Sequence, residues 1–562
     1  MSTRRRAANR RTTSELTSDA PARITQALVL GILLATVALV IVVRLRLANV
    51  PLERDEGEYA YAGQLILQGV PPYELAYNMK FPGTYYAYAT VMAIFGQSAW
   101  GIRVGLLCVH LLTMGFVFAL ARRLVGPVGA AIGAAAFAWL ALDRWSMGIF
   151  AHATHFLVLP AMAGLFVLHR AMRSGRGWEF AAAGFLMGLA IAMKQHALSF
   201  AGMAIGLAAW SGRSAPSPDA AAMWRRAAWV MGGLAASFAL LLTALASQGV
   251  LDRFWFWTFH YGAAYVSGTP ASIATTMFGM AWSYITQETG WLWYTAMIGA
   301  ASLFAARWKR EDRIFLAAWL LASALAVMPG FFFRPHYFIV MMPIAGVLVG
   351  MAIVALDRAL ARGMRPGMAS AASIAVAVAL ILAYVVPGRE YLFRMSDTEL
   401  LRSVYQANPF PESPGIARYL NAHTTPDDRI AVFGSEPQIF FYANRKAASG
   451  YIYMYPLTER QPYARQMQDE MIREVEAARP KYLVHVGMSS SWAAGLQPDR
   501  RMLVWMNDYV AKCYDPVGTV DIDTERGSTV VWDEAVSTYQ PRSQSLVVTW
   551  RRRATPACDG PG

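Results

Sequence analysis

The sequence predicts a polytopic α-helical membrane protein, with about eleven transmembrane helices, that ends in a soluble α/β domain. Three observations predict it. Of 562 residues, 56% are hydrophobic and only 15% are charged, and the apolar residues come in long blocks, among them 27–43, 180–193, 227–246, 314–329 and 368–386. The arginines and lysines sit in short clusters between those blocks rather than along one face, so the net charge of +14 reads as a topology signal and argues against nucleic acid as a partner. Beyond Pro387 no stretch is long and apolar enough to cross a bilayer, and short β-like runs alternate with helical patterns.

A basic tail, 1–26, comes first and carries Arg4, Arg5, Arg6, Arg10 and Arg11; no small-residue cleavage site follows, so the first apolar block reads as a retained anchor. A transmembrane domain over 27–388 follows, with spans expected near 27–45, 99–120, 127–142, 154–170, 179–194, 196–211, 227–247, 291–306, 314–330, 336–356 and 368–387. With the N-terminus cytoplasmic, the basic groups at 122–123, 170–176, 213–226, 307–313 and 358–365 all fall inside, and 211–218 reads as a cytoplasmic loop. That drawing puts the chain in the cell inner (plasma) membrane as a multi-pass protein. An external loop, 47–98, separates the first two spans; within it 84–95 is apolar but too short to cross and reads as a helix in the outer interface. Residues 389–550 form the external α/β domain, with strands expected at 429–433, 481–486 and 545–550 and helices at 416–422 and 463–478, and 551–562 is a tail. Of three cysteines, Cys108 belongs in lipid, while Cys513 and Cys558 lie on the external side and are free to pair or not.

The same drawing collects chemistry-bearing residues on the external face: Asp55, Glu56, Glu58, Lys80, Asp143, His152, His155, Lys194, His196, His260, Glu288, Arg334 and His336. Asp55, Glu56 and Glu58 open an amphipathic helix whose Tyr59, Ala62, Leu65 and Ile66 suit a bilayer surface. They are either favourable charges at a helix N-terminus or functional acids, and three within four residues exceed what a helix end needs. Lys194 interrupts GFLMGLAIAMKQHALSFAGMAIGLAAW at the tip of a helical hairpin, where it either snorkels to headgroups or serves the site. The aromatic run 254–261 is either an interfacial belt or a groove for a chain or sugar.

The string DEGEYAYAGQLILQGVPPYELAYNMKFPGTYYAYA resembles the first external loop of the GT-C glycosyltransferases of the dolichyl-phosphate-mannose protein mannosyltransferase and aminoarabinose transferase superfamily, especially bacterial members known only as family-39-like. GLAIAMKQHA resembles that family's lysine-bearing hairpin, FRPHYFI its late segment, and DRIAVFGSEPQIFFYANRKAASGYIY its external C-terminal domain. The resemblance implies a GT-C-like transmembrane domain and transfer of a sugar from a polyprenyl-phosphate carrier to an acceptor hydroxyl on a glycan, lipid or protein outside the membrane. Such a reaction passes an oxocarbenium-like state, so it needs a carboxylate to deprotonate the acceptor and cations to stabilise the leaving phosphate. Asp55 takes the first role, with Glu56 as a supporting group or metal ligand; Lys80, on the family's Lys-x-Pro pattern, with Lys194, Arg334 and His336, is assigned to the donor phosphate. Glu58 and Asp143 are further candidates.

The chain departs from the family at two points. The second external loop reads AHATHF where many relatives carry an acid, which leaves His152 and His155 to replace it as hydrogen-bond donors or, with Glu56, as ligands for a divalent cation. Gly83 stands where the family pattern has a second proline. Two other classes compete: a polytopic lipid or sugar transporter or flippase, which would place polar groups near the midplane, and a non-catalytic envelope-assembly protein.

Overall fold

The computed structural model describes residues 27–213, 220–267, 270–304, 308–492, 499–554 and 558. The basic tail 1–26, most of the 211–218 loop and most of the 551–562 tail lie outside them. The apolar blocks fold as helices because the backbone of an apolar stretch can satisfy its own polar groups only by i to i+4 bonding. α1 (Ala27–Arg46) leads into two helices of the expected external loop, α2 (Arg54–Leu67) and α3 (Gly83–Phe95). α4 (Ala99–Leu140), α5 (Ala153–Ser174), α6 (Gly177–Met193), α7 (Leu198–Arg213) and α8 (Ala220–Ser247) follow, then helices Gly290–Ala301, Arg310–Ala326, Met342–Leu360 and Pro366–Val385.

Among the described residues six helices are long and apolar enough to cross a membrane: α1, α4, α5, α8, Pro335–Leu360 and Gly367–Val385. α4, at 42 residues, contains two of the expected spans. At Gly126 φ is 84° and ψ 175°, a conformation glycine adopts without a Cβ penalty, and Pro127 follows. The chain doubles back there, so both ends of α4 meet the end of α1: Arg103 donates to the Leu47 carbonyl, and Arg44 donates to the Ala141 carbonyl. α6 and α7 form the expected hairpin, broken where Lys194 adopts extended backbone (φ −160°, ψ 133°).

These connections set Asp55, Lys80, His152, Lys194 and His336 at one end of the bundle. The basic residues near 122–123, 170–176, 310–313 and 358–365 fall at the opposite ends of their helices. α2 departs from the expectation of a bilayer-facing helix. Its Tyr59, Ala62 and Leu65 are buried inside the protein, because Tyr59 packs in an aromatic cluster with Tyr85 and Tyr88 of α3.

The C-terminal part carries a five-stranded sheet in the order β1 (Ile430–Phe433), β2 (Tyr482–Val486), β5 (Leu546–Arg552), β3 (Tyr514–Asp521) and β4 (Thr529–Trp532). β1 and β2 are parallel and the remaining pairs antiparallel. The expected strands correspond to β1, β2 and β5; β3 carries Pro516, Gly518 and an exposed Asp515 that blur its alternation, and β4 is four residues long with Val530 exposed. Helix Ala464–Ala478 buries Met467, Met471 and Val475, spaced four apart on one stripe. Cys513 and Cys558 form a disulfide, and Cys108 is free. The domain docks directly on α2: a Cβ at Gly57 would lie 2.6 Å from Gln438, and Leu52 donates its N–H to the Tyr442 hydroxyl.

Candidate active site

Glu53 caps α2, accepting from the N–H groups of Asp55 and Glu56, while the Glu56 carboxylate returns to the Glu53 N–H. With the first turn fixed, the helical rotation of about 100° per residue separates the acidic cluster into two faces. Asp55 and Glu58, three apart, turn toward Lys80, whose Nζ lies 2.9 Å from Asp55 Oδ1 and 2.6 Å from Glu58 Oε2. The Tyr85 hydroxyl donates to the other Glu58 oxygen at 2.6 Å. Glu56 turns away and is clamped by Arg103, Nε at 2.8 Å and Nη2 at 2.6 Å, and by the Ala151 N–H. Only Asp55 of the three keeps an accessible side chain, 23% against 0% for Glu56 and Glu58.

On the open side of Asp55, Oδ2 faces His152 Nδ1 at 3.6 Å and His336 Nε2 at 4.0 Å, and the two imidazoles stack at 4.4 Å. Among the described residues, both ring nitrogens of buried His152 lack a hydrogen-bond partner. Lys194 Nζ lies 4.2 Å from the Tyr337 ring centroid and 3.4 Å from Thr154 Oγ1, and Arg334 lies over Phe332. Among the described residues, Lys194 and Arg334 have no carboxylate within ion-pair distance, whereas Lys80 has two.

Gly83 explains how the lysines meet. A Cβ there would lie 2.4 Å from the Ala192 carbonyl oxygen, so the start of α3 touches the last turn of α6. Thr84 Oγ1 then donates to the Met193 carbonyl and Gln195 Nε2 to the Met79 carbonyl, tying the Lys80 loop to the Lys194 tip. The departure from a second proline is thus a packing requirement.

Electrostatics sharpen the division. Burial works to raise the Asp55 carboxyl, yet the Lys80 ammonium, with His152 and His336, holds it well below the usual carboxylate range. Burial works against charge on Lys80, but Asp55 and Glu58 hold its ammonium well above the ordinary value. Burial pushes Glu58 up against the pull of Lys80. Glu53, buried and opposed by His152 but beside Asp55 and Glu56, is pushed up to about 7.

The structure therefore gathers Asp55, Glu58, Lys80, Lys194, Arg334, His152 and His336. It places three sequence candidates elsewhere: Glu56 on Arg103, His155 with Nε2 on the Gly148 carbonyl, and Asp143 accepting from the Ser146 N–H. The trio proposed for a metal is accordingly dispersed, because Glu56 and His155 have protein partners; the ligand atoms that converge, within 4.8 Å of one another, belong to Asp55, His152 and His336. The aromatic run divides too: Phe254, Trp257 and Tyr261 are buried while Trp255 and Phe259 are exposed. Sequence reading missed Glu53, Arg103, Tyr85 and Tyr453, whose hydroxyl donates to Asp55 Oδ1 at 3.1 Å. Tyr453 did lie in the family-like string ending GYIY, the one signal that could have drawn attention to it.

The helices thus gather a carboxylate and amine site at one end of the bundle, with the α/β domain docked on the helix that carries its acids. Residues 79–231 match the family model for dolichyl-phosphate-mannose-protein mannosyltransferase. The fold matches ArnT from Cupriavidus metallidurans bound to undecaprenyl phosphate, at TM-score 0.57 and 16% identity, over 95% of this chain and 99% of that one. It also matches the oligosaccharyltransferase AglB from Archaeoglobus fulgidus in complex with an inhibitory peptide and a dolichol-phosphate, at TM-score 0.54 and 12% identity, over 94% of this chain and 76% of that one. No curated protein matches the sequence. The chain therefore shares the fold of these two proteins.

Proposed function

We propose that the protein is a membrane glycosyltransferase that moves a sugar from a polyprenyl-phosphate donor to an acceptor hydroxyl on the external side of the inner membrane. The observation that carries this reading is Asp55: the one open carboxylate of its cluster, ionised by Lys80, beside two cations without carboxylate partners. The undecaprenyl phosphate bound by ArnT and the dolichol-phosphate bound by AglB support a lipid-phosphate donor.

In this mechanism Asp55 Oδ2 takes the proton of the acceptor hydroxyl as its oxygen attacks the anomeric carbon. The bond from that carbon to the phosphate oxygen breaks, and polyprenyl phosphate leaves with the electron pair. Lys194 and Arg334 stabilise the departing phosphate. Lys80 spends two N–H groups on Asp55 and Glu58 and has a third for the phosphate. Asp55, His152 and His336 form a donor set suited to a divalent cation, and the unpartnered nitrogens of His152 fit that role. A cation held there would supply further charge stabilisation for the phosphate.

We further read about eleven spans, the short helices included, with the N-terminus cytoplasmic and the α/β domain external. The basic residues at the end of the bundle away from Asp55 support that orientation, as does the Cys513–Cys558 disulfide, which belongs to an oxidising compartment. Polar groups collected at one end rather than mid-bundle weigh against a transporter.

The test is genetic and chemical. A strain lacking the protein should accumulate lipid-linked sugar and lose a sugar from its envelope. Asp55→Asn, present in the membrane at wild-type level, should restore neither, with transfer down on the order of 10²- to 10⁴-fold. Full restoration by that variant would remove Asp55 from the mechanism.

A further inference from the structure

The two oxygens of Asp55 are not equivalent. Oδ1 accepts from Lys80 Nζ at 2.9 Å and from the Tyr453 hydroxyl at 3.1 Å, whereas Oδ2, among the described residues, faces the two imidazoles, at 3.6 and 4.0 Å. Tyr453 is buried, 6% exposed, and reaches the site from the α/β domain almost 400 residues along the chain, a separation of 398. We propose that Tyr453 is a positioning residue for Asp55, and that the C-terminal domain is thereby part of the active site rather than an appended module. The proposal rests on the reading of Asp55 as the base.

The geometry around Tyr453 is a closed ring. Arg54, next to Asp55, donates to the Ser435 carbonyl at 2.6 Å and to Glu436 Oε1 at 2.8 Å. Ser435 in turn accepts at its hydroxyl from the Met454 N–H at 3.0 Å, directly beside Tyr453. Residues 54–55 and 453–454 are therefore tied to one serine, and neither pair can shift without breaking a bond to it. Arg54 also donates to the Tyr455 hydroxyl at 2.8 Å, which in turn donates to the Ser490 carbonyl. A carboxylate held on Oδ1 by two donors from different segments is restrained about its terminal torsion, which is otherwise soft. Oδ2 is then presented in a fixed direction, the orientation that a proton acceptor needs.

The experiment uses the full chain in proteoliposomes. Tyr453→Phe keeps the ring and removes only the donor. The expected result is a kcat lower by ten- to a hundredfold, with affinity for polyprenyl phosphate, measured directly, within twofold of wild type. In an Asp55→Asn background the same change should cost nothing further, because the residue acts through Asp55. A wild-type kcat in Tyr453→Phe, an additive loss on Asp55→Asn, or a parallel loss of donor affinity pointing to a structural role would each overturn the proposal. Absence of transfer by the wild-type protein would instead count against the functional reading on which the proposal rests.

Discussion

Removing the cation at position 80 should move an ionisation into view. Lys80 Nζ sits 2.9 Å from Asp55, and both side chains are about a fifth exposed, 22% and 23%. At an effective dielectric of about 20, unit charges about 4 Å apart attract by about 4 kcal/mol, and one pKa unit corresponds to about 1.4 kcal/mol. Partial exposure screens that attraction, so Lys80→Met should raise the Asp55 carboxyl by less than the unscreened figure implies. A base works deprotonated. In the wild type the Asp55 carboxyl lies well below its ordinary value, so transfer should stay level as pH falls toward 5. In Lys80→Met the carboxyl rises, Glu58 loses the one cation paired with it among the described residues, and activity should fall with pH over a range where the wild type stays level, while recovering at higher pH. The assay is kcat/KM for sugar transfer from pH 5 to 9 in proteoliposomes, with donor affinity measured alongside. A Lys80→Met profile that superposes in shape on the wild type down to pH 5 would refute the claim that Lys80 sets the charge of Asp55.

Arg103→Met should leave the Glu56 carboxylate buried without its partner, at a cost of about 3–5 kcal/mol, read as a lower Tm in detergent. Adding Glu56→Gln should recover part of that loss, and an unchanged Tm in the single variant would show that the pair is dispensable. Gly83→Ala puts a Cβ against the Ala192 carbonyl and should cost about 1–3 kcal/mol, while displacing the Lys80 loop enough to lower transfer at least about tenfold. Wild-type activity in Gly83→Ala would mean that the approach of α3 to α6 does not set the lysine spacing.

Much of the fold was legible because lipid imposes it locally. The hairpin around Lys194 and the return of the chain at Gly126-Pro127 follow from composition and from φ preferences, with no need of distant partners. The strands β1, β2 and β5 carry clear apolar runs, whereas Pro516 and Gly518 interrupt β3, and β4 is four residues long with none of them buried. The face of α2 was misjudged because its periodicity announces an apolar surface without saying what covers it, and Tyr85 and Tyr88 cover it here.

Sequence alone determined that long apolar helices form, that basic residues gather at one end of them, and that acids and amines gather at the other. Each of these depends on composition over short windows. Only the tertiary structure decided which acid does what. Asp55, Glu56 and Glu58 are near neighbours of the same type, and the helix turns them toward partners 22 to 398 residues away: Lys80 for Glu58, Arg103 for Glu56, Lys80 and Tyr453 for Asp55. Burial and pairing distinguish the three carboxylates, and both properties arise from contacts between segments that no local pattern records.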